Sequence, residues 1–212
     1  MESNATYHGE LFADCPSLER VLIGPNVEII PDSIFRYCKP LLKVDMGANV
    51  KEIGEDAFYQ CSSLTSIELP DGLTTIGGRA LSGCTGITEI QLPKSIKSIG
   101  PSAFDAVPIT EIVLPAGLEN FADIDVVSAF KNCTKLTKVV SYIKQPYEIS
   151  LYAFEDETFR NGWLYVPVGT LSLYKSMQYW SKFKNIVEMD DNTGISGIHI
   201  DGNTNVSIYN LS

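Results

Sequence analysis

Histidine is almost missing from the 212 residues: there are two, His8 and His199, one near each end. With so few, no Cys/His metal set and no Ser-His-Asp grouping can be assembled around them, and no P-loop, nucleophile elbow, zincin or EF-hand pattern occurs anywhere. Basic charge is also scarce. Sixteen Lys and Arg stand against 26 Asp and Glu, a net charge of −10, so the basic stripe that a phosphate backbone requires is absent and nucleic acid is not an expected partner. Nor does any window approach the roughly 18 apolar residues of a membrane helix, and insertion of this segment into a bilayer is not expected. The opening Met1-Glu2-Ser3-Asn4 has neither a basic start nor an apolar run, so no signal peptide is read there.

What is present is a period. Cys15, Cys38, Cys61 and Cys84 follow one another at 23-residue steps, and Phe12, Phe35, Phe58, Leu81 and Phe104 keep the same step. The clearest copy runs Ala57-Phe58-x-x-Cys61-x-x-Leu64-x-x-Ile67-x-Leu69-Pro70-x-x-Leu73-x-x-Ile76-Gly77. Its neighbours repeat the apolar positions as Leu41, Val44, Met46, Val50, Ile53 and as Ile87, Ile90, Leu92, Ile96, Ile99. A fifth copy is one residue short at Val107-Pro108-Ile109. An insertion between Gly117 and Ala129, with Asp123 and Asp125 in a solvent-facing bulge, precedes a sixth copy at Cys133. A degenerate seventh passes through Ala153-Phe154 and Leu164-Tyr165-Val166-Pro167.

A repeat of this length is one supersecondary unit that buries its apolar face only by stacking on its neighbours. Alternation puts Ile67 and Leu69 inward and Glu68 outward on a short strand, and stacked strands pair in parallel at about 4.8 Å. Proline at 70, 93 and 115 ends each strand, and Asp71-Gly72 or Ala116-Gly117 turns the chain. Stacked cysteines then point in parallel into the core as free thiols, the odd count of five opposing complete pairing. After Val168-Gly169, Thr170 is placed to cap a helix bearing Leu173, Tyr174, Met177, Trp180 and Phe183. Ile186-Val187 continues onto the last coil, and Ile198, Ile200, Val206 and Ile208 read as a hairpin.

Together the Ala-Phe pair, the Cys, the Leu-Pro and the step resemble the BspA-like leucine-rich repeat over Phe12 to Val187. The departures are Leu81 in place of Phe, Val107 in place of Cys, and the insertion. The expected fold is a leucine-rich-repeat solenoid with a parallel β-sheet on one face. Residues 1–11 lead in, 12–167 form six to seven coils, 168–190 form a helical cap, and 191–212 begin a small β module or tail. The resemblance implies a secreted or surface-anchored bacterial protein engaged in adhesion to host matrix proteins, other bacteria or polymers.

Function is expected on the outward strand positions, since recognition in a solenoid falls to its stacked face. One row holds Arg20, Lys43, Ser66, Glu89, Glu111 and Lys138, and the second holds Leu22, Asp45, Glu68, Gln91, Val113 and Val140. Of these, Arg20, Lys43, Asp45, Ser66, Glu68, Glu89, Gln91 and Glu111 are the candidate ligand-binding residues. The face is acidic in the middle and basic at either end, which suits a surface protein with a basic patch. A glycan is the alternative ligand, weakened by rows that contain no aromatic ring, although Tyr37, Tyr59 and Tyr147 lie elsewhere in the coils. The Glu52/Glu55 and Asp190/Asp191 pairs read as solvated charges. No cofactor, metal or catalytic residue is expected. The first coil begins weakly at Glu10-Leu11-Phe12, leaving an open end that favours end-to-end pairing.

Overall fold

The computed structural model describes residues 10–121 and 129–189 in full, and the backbone of two further strands, Ile198–Ile200 and Val206–Ile208. The bulge expected around Asp123 and Asp125, the Asp190/Asp191 pair and the side chains of both histidines lie outside the described residues.

The short strand forms in every coil but the fourth, where the expected strand at Thr88–Leu92 is absent. β1 (Arg20–Leu22), β3 (Lys43–Asp45) and β5 (Ser66–Ile67) pair in parallel in 23-residue register, Arg20 opposite Lys43 opposite Ser66. β8 (Glu111–Leu114), β9 (Lys138–Ser141), β10 (Trp163–Val166) and β11 (Asn185–Glu188) continue the same side of the stack as a separate four-stranded sheet. The stack thus runs past Pro167 to Glu188. A second parallel sheet, not anticipated from the sequence, occupies the Ile-Gly side: β2 (Ile29–Ile30), β4 (Glu52–Ile53), β6 (Thr75–Ile76) and β7 (Ser98–Ile99). The hairpin near the end is present, β12 (Ile198–Ile200) antiparallel to β13 (Val206–Ile208).

The third side of each coil, the Ala-Phe turn, is also laddered. Ser33, Tyr37, Asp56, Gln60, Arg79, Ser102, Ala106 and Asn132 adopt left-handed φ of 51–60°, a conformation costing a non-glycine residue roughly 1–2 kcal/mol. What offsets the cost is the direction in which the amides then point. Tyr37 N–H donates to Tyr59 O at 2.7 Å, Gln60 N–H to Ser82 O at 2.8 Å, and Phe58 N–H to Ala80 O at 2.8 Å. The four buried thiols answer in the opposite sense. Cys38 Sγ donates to Phe12 O at 2.8 Å, Cys61 to Phe35 O at 3.1 Å, Cys84 to Phe58 O at 3.2 Å and Cys133 to Phe104 O at 3.0 Å. Cysteine suits this position because it packs as a small hydrophobe yet carries a weak donor. All five cysteines are free thiols, four of them buried.

Inside, the rings stack. Phe12, Phe35 and Phe58 lie 5.8 and 5.4 Å apart and nearly parallel, as do Phe104, Phe130 and Phe154 at 5.5 and 5.6 Å, the run being interrupted at Leu81. The final coils close differently from expectation. The helix α2 covers only Leu171–Ser176, Met177 is extended, and a 3-10 turn takes Trp180–Lys182. Thr170 does not cap the helix with its side chain; its hydroxyl donates to Pro167 O at 2.6 Å. The break after Ser176 lets both Tyr174 and Trp180 become fully buried. Trp180 Nε1 donates to Tyr147 O at 2.9 Å, and Tyr174 Oη donates to Ile143 O at 2.8 Å. At the other end the first coil leaves Leu11 exposed, and Phe12, Leu22 and Ile29 exposed around an apolar hollow of about 460 Å³.

Adjacent main chains come closest at the Ile-Gly position. A Cβ on Gly77 would stand 2.6 Å from Glu55 N and 2.6 Å from Gly54 C, whereas one on Gly72 would meet nothing nearer than Ala48 O at 4.0 Å. Gly77→Ala should therefore cost roughly 2–3 kcal/mol in denaturant unfolding, and Gly72→Ala under about 1 kcal/mol; equal costs would refute close coil contact as the reason for this glycine. Burial pushes the Cys84 and Cys133 thiols up to about 12. A thiol reagent at pH 8 should leave the buried cysteines untouched in the native protein and titrate all five after denaturation without reductant.

Candidate functional site

The predicted face divides into zones. At its start Arg20 Nη2 and Lys43 Nζ both reach Asp45, at 2.6 and 2.9 Å. Hydrogen bonds from Lys43 and then Arg20 hold the Asp45 carboxyl below the usual carboxylate range. One anion between two cations leaves this end net positive. Further along, Glu111 pairs with Lys138 at 3.1 Å, and the Lys138 ammonium lies 5.7 Å from the centre of the Tyr165 ring. Between the two zones Glu68 and Glu89 are exposed and make no ion pair among the described residues. Ser66 and Gln91 are exposed beside them.

The sheet is interrupted in that acidic stretch. Thr88–Leu92, the fourth copy of the strand, is not hydrogen-bonded to β5 on one side or β8 on the other. On the opposite wall the same coil stays paired: Thr75–Ile76 with Ser98–Ile99, and Ile99 N–H to Asn120 O at 2.8 Å. The coils therefore part on the candidate face alone. The next coil is one residue short at Val107-Pro108-Ile109 and keeps both Val107 and Ile109 fully buried in the core. A groove of about 460 Å³ opens there, lined by Thr88, Glu89, Gln91, Thr110, Glu111 and Val113.

Of the eight candidate residues, three (Arg20, Lys43 and Asp45) form one ion cluster, three (Glu89, Gln91 and Glu111) line the groove, and Ser66 and Glu68 lie between. Two readings of the rows change. Val140 is 1% exposed and belongs to the core. The rows also do contain aromatic rings, because β10 places Trp163 opposite Lys138 and Tyr165 opposite Val140, the two rings 6.4 Å apart. Aligning Leu164 with Val139 would have found them. Tyr37 and Tyr59 are on the Ala-Phe side, edge to face at 5.2 Å, with the Arg36 guanidinium 4.9 and 5.5 Å from their ring centres. Tyr147 is half-buried against Phe121, and its hydroxyl is buried without a partner among the described residues. Among the described residues no group of three His, Cys, Asp or Glu could hold a metal ion, and no helix is long and apolar enough to cross a membrane.

The model of the BspA-type leucine-rich repeat region matches six copies over residues 6–137, more than half of the chain. The chain belongs to this family. Solved structures agree. A leucine-rich repeat protein of T. pallidum is 31% identical with a TM-score of 0.59, over 69% of this chain and 64% of that one. One from Bacteroides ovatus is 26% identical with a TM-score of 0.56, over 70% and 47%. A leucine rich cell surface protein of Faecalibacterium prausnitzii shares the fold at 21% identity and a TM-score of 0.59, over 85% and 53%. The chain thus spans between about half and two thirds of these proteins' lengths. No curated protein sequence matches it.

Within this BspA-type stack the groove makes a measurable difference. Backbone amides without a ladder acceptor exchange with solvent by local opening alone. The amides of Thr88 to Gln91 should exchange much faster than those of Lys43 to Asp45 in the same solenoid; equal protection would show that the sheet is continuous.

Proposed function

We propose that this chain is a non-catalytic adhesion or protein-interaction module of the bacterial surface, binding a host or bacterial surface protein through the sheet face. The observation that carries the reading is the acidic middle of that face. Glu68 and Glu89 are exposed and lack cation partners among the described residues, and Glu89 lines a groove whose main-chain groups are not used by the ladder. A partner with a basic patch satisfies the carboxylates, and its polar groups find main-chain donors and acceptors in the groove. Such rim charges steer association and select partners more than they add raw affinity. Family membership and the cell-surface description of the F. prausnitzii neighbour support a secreted or surface location. The repeat family is typically non-catalytic, consistent with recognition as the chain's task.

Polysaccharide capture is a second reading, favoured by Trp163 and Tyr165 on the same face with Lys138 beside them. Aromatic rings with a polar neighbour are the usual furniture of a site that binds sugar rings.

A screen against host matrix proteins and glycan arrays at two salt concentrations separates the two. A protein partner should bind more weakly at high salt, and the double variant Glu68→Lys/Glu89→Lys should lose about tenfold or more in affinity. Unchanged affinity in that variant would refute the acidic face as the binding surface.

A further inference from the structure

A cavity of about 710 Å³ involves none of the strand-row residues. It forms where the seventh coil leaves the repeat: after Ala153-Phe154 the chain enters α1 (Asp156–Asn161) instead of running on to a cysteine. Lys131 and Asn132 of the sixth coil, Glu155 and Asp156 of the seventh, and Lys182 of the cap surround it, with Leu151, Tyr152 and Phe154 supplying the apolar lining. Phe154 is buried, while Tyr152 is 66% exposed and Leu151 40%.

We propose that this cavity binds a hexopyranose unit of a polysaccharide, with one face of the sugar ring against Tyr152. An exposed tyrosine at the mouth of a cavity offers a flat apolar surface that core packing does not use. Around it stand both kinds of hydrogen-bonding group. Glu155 is held in place by the Asn132 amide, which donates to Oε1 at 2.6 Å, and its remaining lone pairs can accept. Asp156 is flanked by Arg160 at 3.4 Å and Lys182 at 3.8 Å, distances that leave both ion pairs loose. Lys131 is exposed and makes no ion pair among the described residues. A purely apolar ligand would leave these four charges unmatched, and a phosphate has no apolar face to set against Tyr152. A pyranose has an apolar face and a rim of hydroxyls that both donate and accept, and so matches the lining on both counts. Because Lys131 lacks a carboxylate, a uronate should bind more tightly than its neutral counterpart.

The site lies apart from the sheet face, so it stands or falls separately from the adhesion reading. The test is calorimetric or NMR titration of the whole chain with oligosaccharides of glucose, mannose, galactose, N-acetylglucosamine and galacturonate. At least one should saturate, Tyr152→Ala should weaken it about tenfold or more, and Tyr152→Trp should retain it. Lys131→Gln should weaken galacturonate more than any neutral sugar. With its ring exposed, Tyr152→Ala should melt within about 2 °C of the parent. The Glu68→Lys/Glu89→Lys protein should bind the sugar as the parent does. No saturation by about 10 mM, equal binding by Tyr152→Ala, or loss of sugar binding in the sheet-face variant would each overturn the proposal.

Discussion

Every part of this molecule depends on how closely one coil lies on the next. Parallel strands hydrogen-bond only at about 4.8 Å, and here that spacing is demanded on three sides of the coil at once: the Arg20–Lys43–Ser66 side, the Ile30–Ile53–Ile76 side, and the Ala-Phe turn where Phe58 N–H meets Ala80 O. The inward positions are left little freedom. Gly77 has no room for a methyl group, Cys61 three residues after Phe58 is a small side chain that donates backward to Phe35 O, and the phenyl rings stack at 5.4–5.8 Å. Left-handed residues along the turn serve the same demand, the amides of Ser33, Tyr37, Asp56, Gln60 and Arg79 all donating to the following coil. Outward positions meet no such demand, so their chemistry can vary from coil to coil.

When one coil cannot meet all three demands, the structure shows which is given up. The fifth coil, one residue short at Val107-Pro108-Ile109, keeps Val107 and Ile109 in the core and keeps the turn ladder, with Leu81 N–H on Ala103 O and Gly83 N–H on Asp105 O. The ladder lost is the one on the exposed sheet, at Thr88–Leu92. The energetics favour this choice. An exposed main-chain group exchanges its protein partner for water at a net cost of about 0.5–1.5 kcal/mol, whereas an apolar side chain drawn out of the core loses about 25 cal/mol per Å² exposed and leaves a cavity behind. Opening a groove between Glu89 and Glu111 thus costs less than disturbing the core, and the groove falls where the surface charge is already negative.

What was legible in the sequence follows the same division. The period, the inward Phe, Cys, Leu and Ile positions and the register of the strands could be read because the core repeats one residue type at one step. The second sheet was not legible, since strands of two residues such as Thr75–Ile76 are too short to show alternation. The helix expected through Phe183 stops at Ser176 because spacing of three and four fits a 3-10 turn after a bend as well as it fits one helix, and packing of Tyr174 and Trp180 decides between them. The candidate rows were right in register and incomplete in extent: Trp163 and Tyr165 belonged to them and Val140 did not. The groove and the Tyr152 cavity left no motif at all. Each is assembled from residues a coil or more apart, brought together by the stack.

The zones of the face also constrain what can bind it. From Glu89 in the fourth coil to Trp163 in the seventh is three coil steps, at least about 14 Å because the first crosses the open groove. An extended segment of four or five residues, at about 3.3 Å each, covers that distance. A partner lying across the coils can therefore place a cation at Glu68 and Glu89 and an apolar or aromatic group at Trp163 and Tyr165 in one engagement. Neither contact alone is worth much, since an exposed ion pair contributes under about 1 kcal/mol. On the adhesion reading proposed above, selectivity would come from having both at the distance the coils impose. A solenoid is suited to this, because its spacing is set by the hydrogen-bonded stack beneath and does not adjust to the ligand.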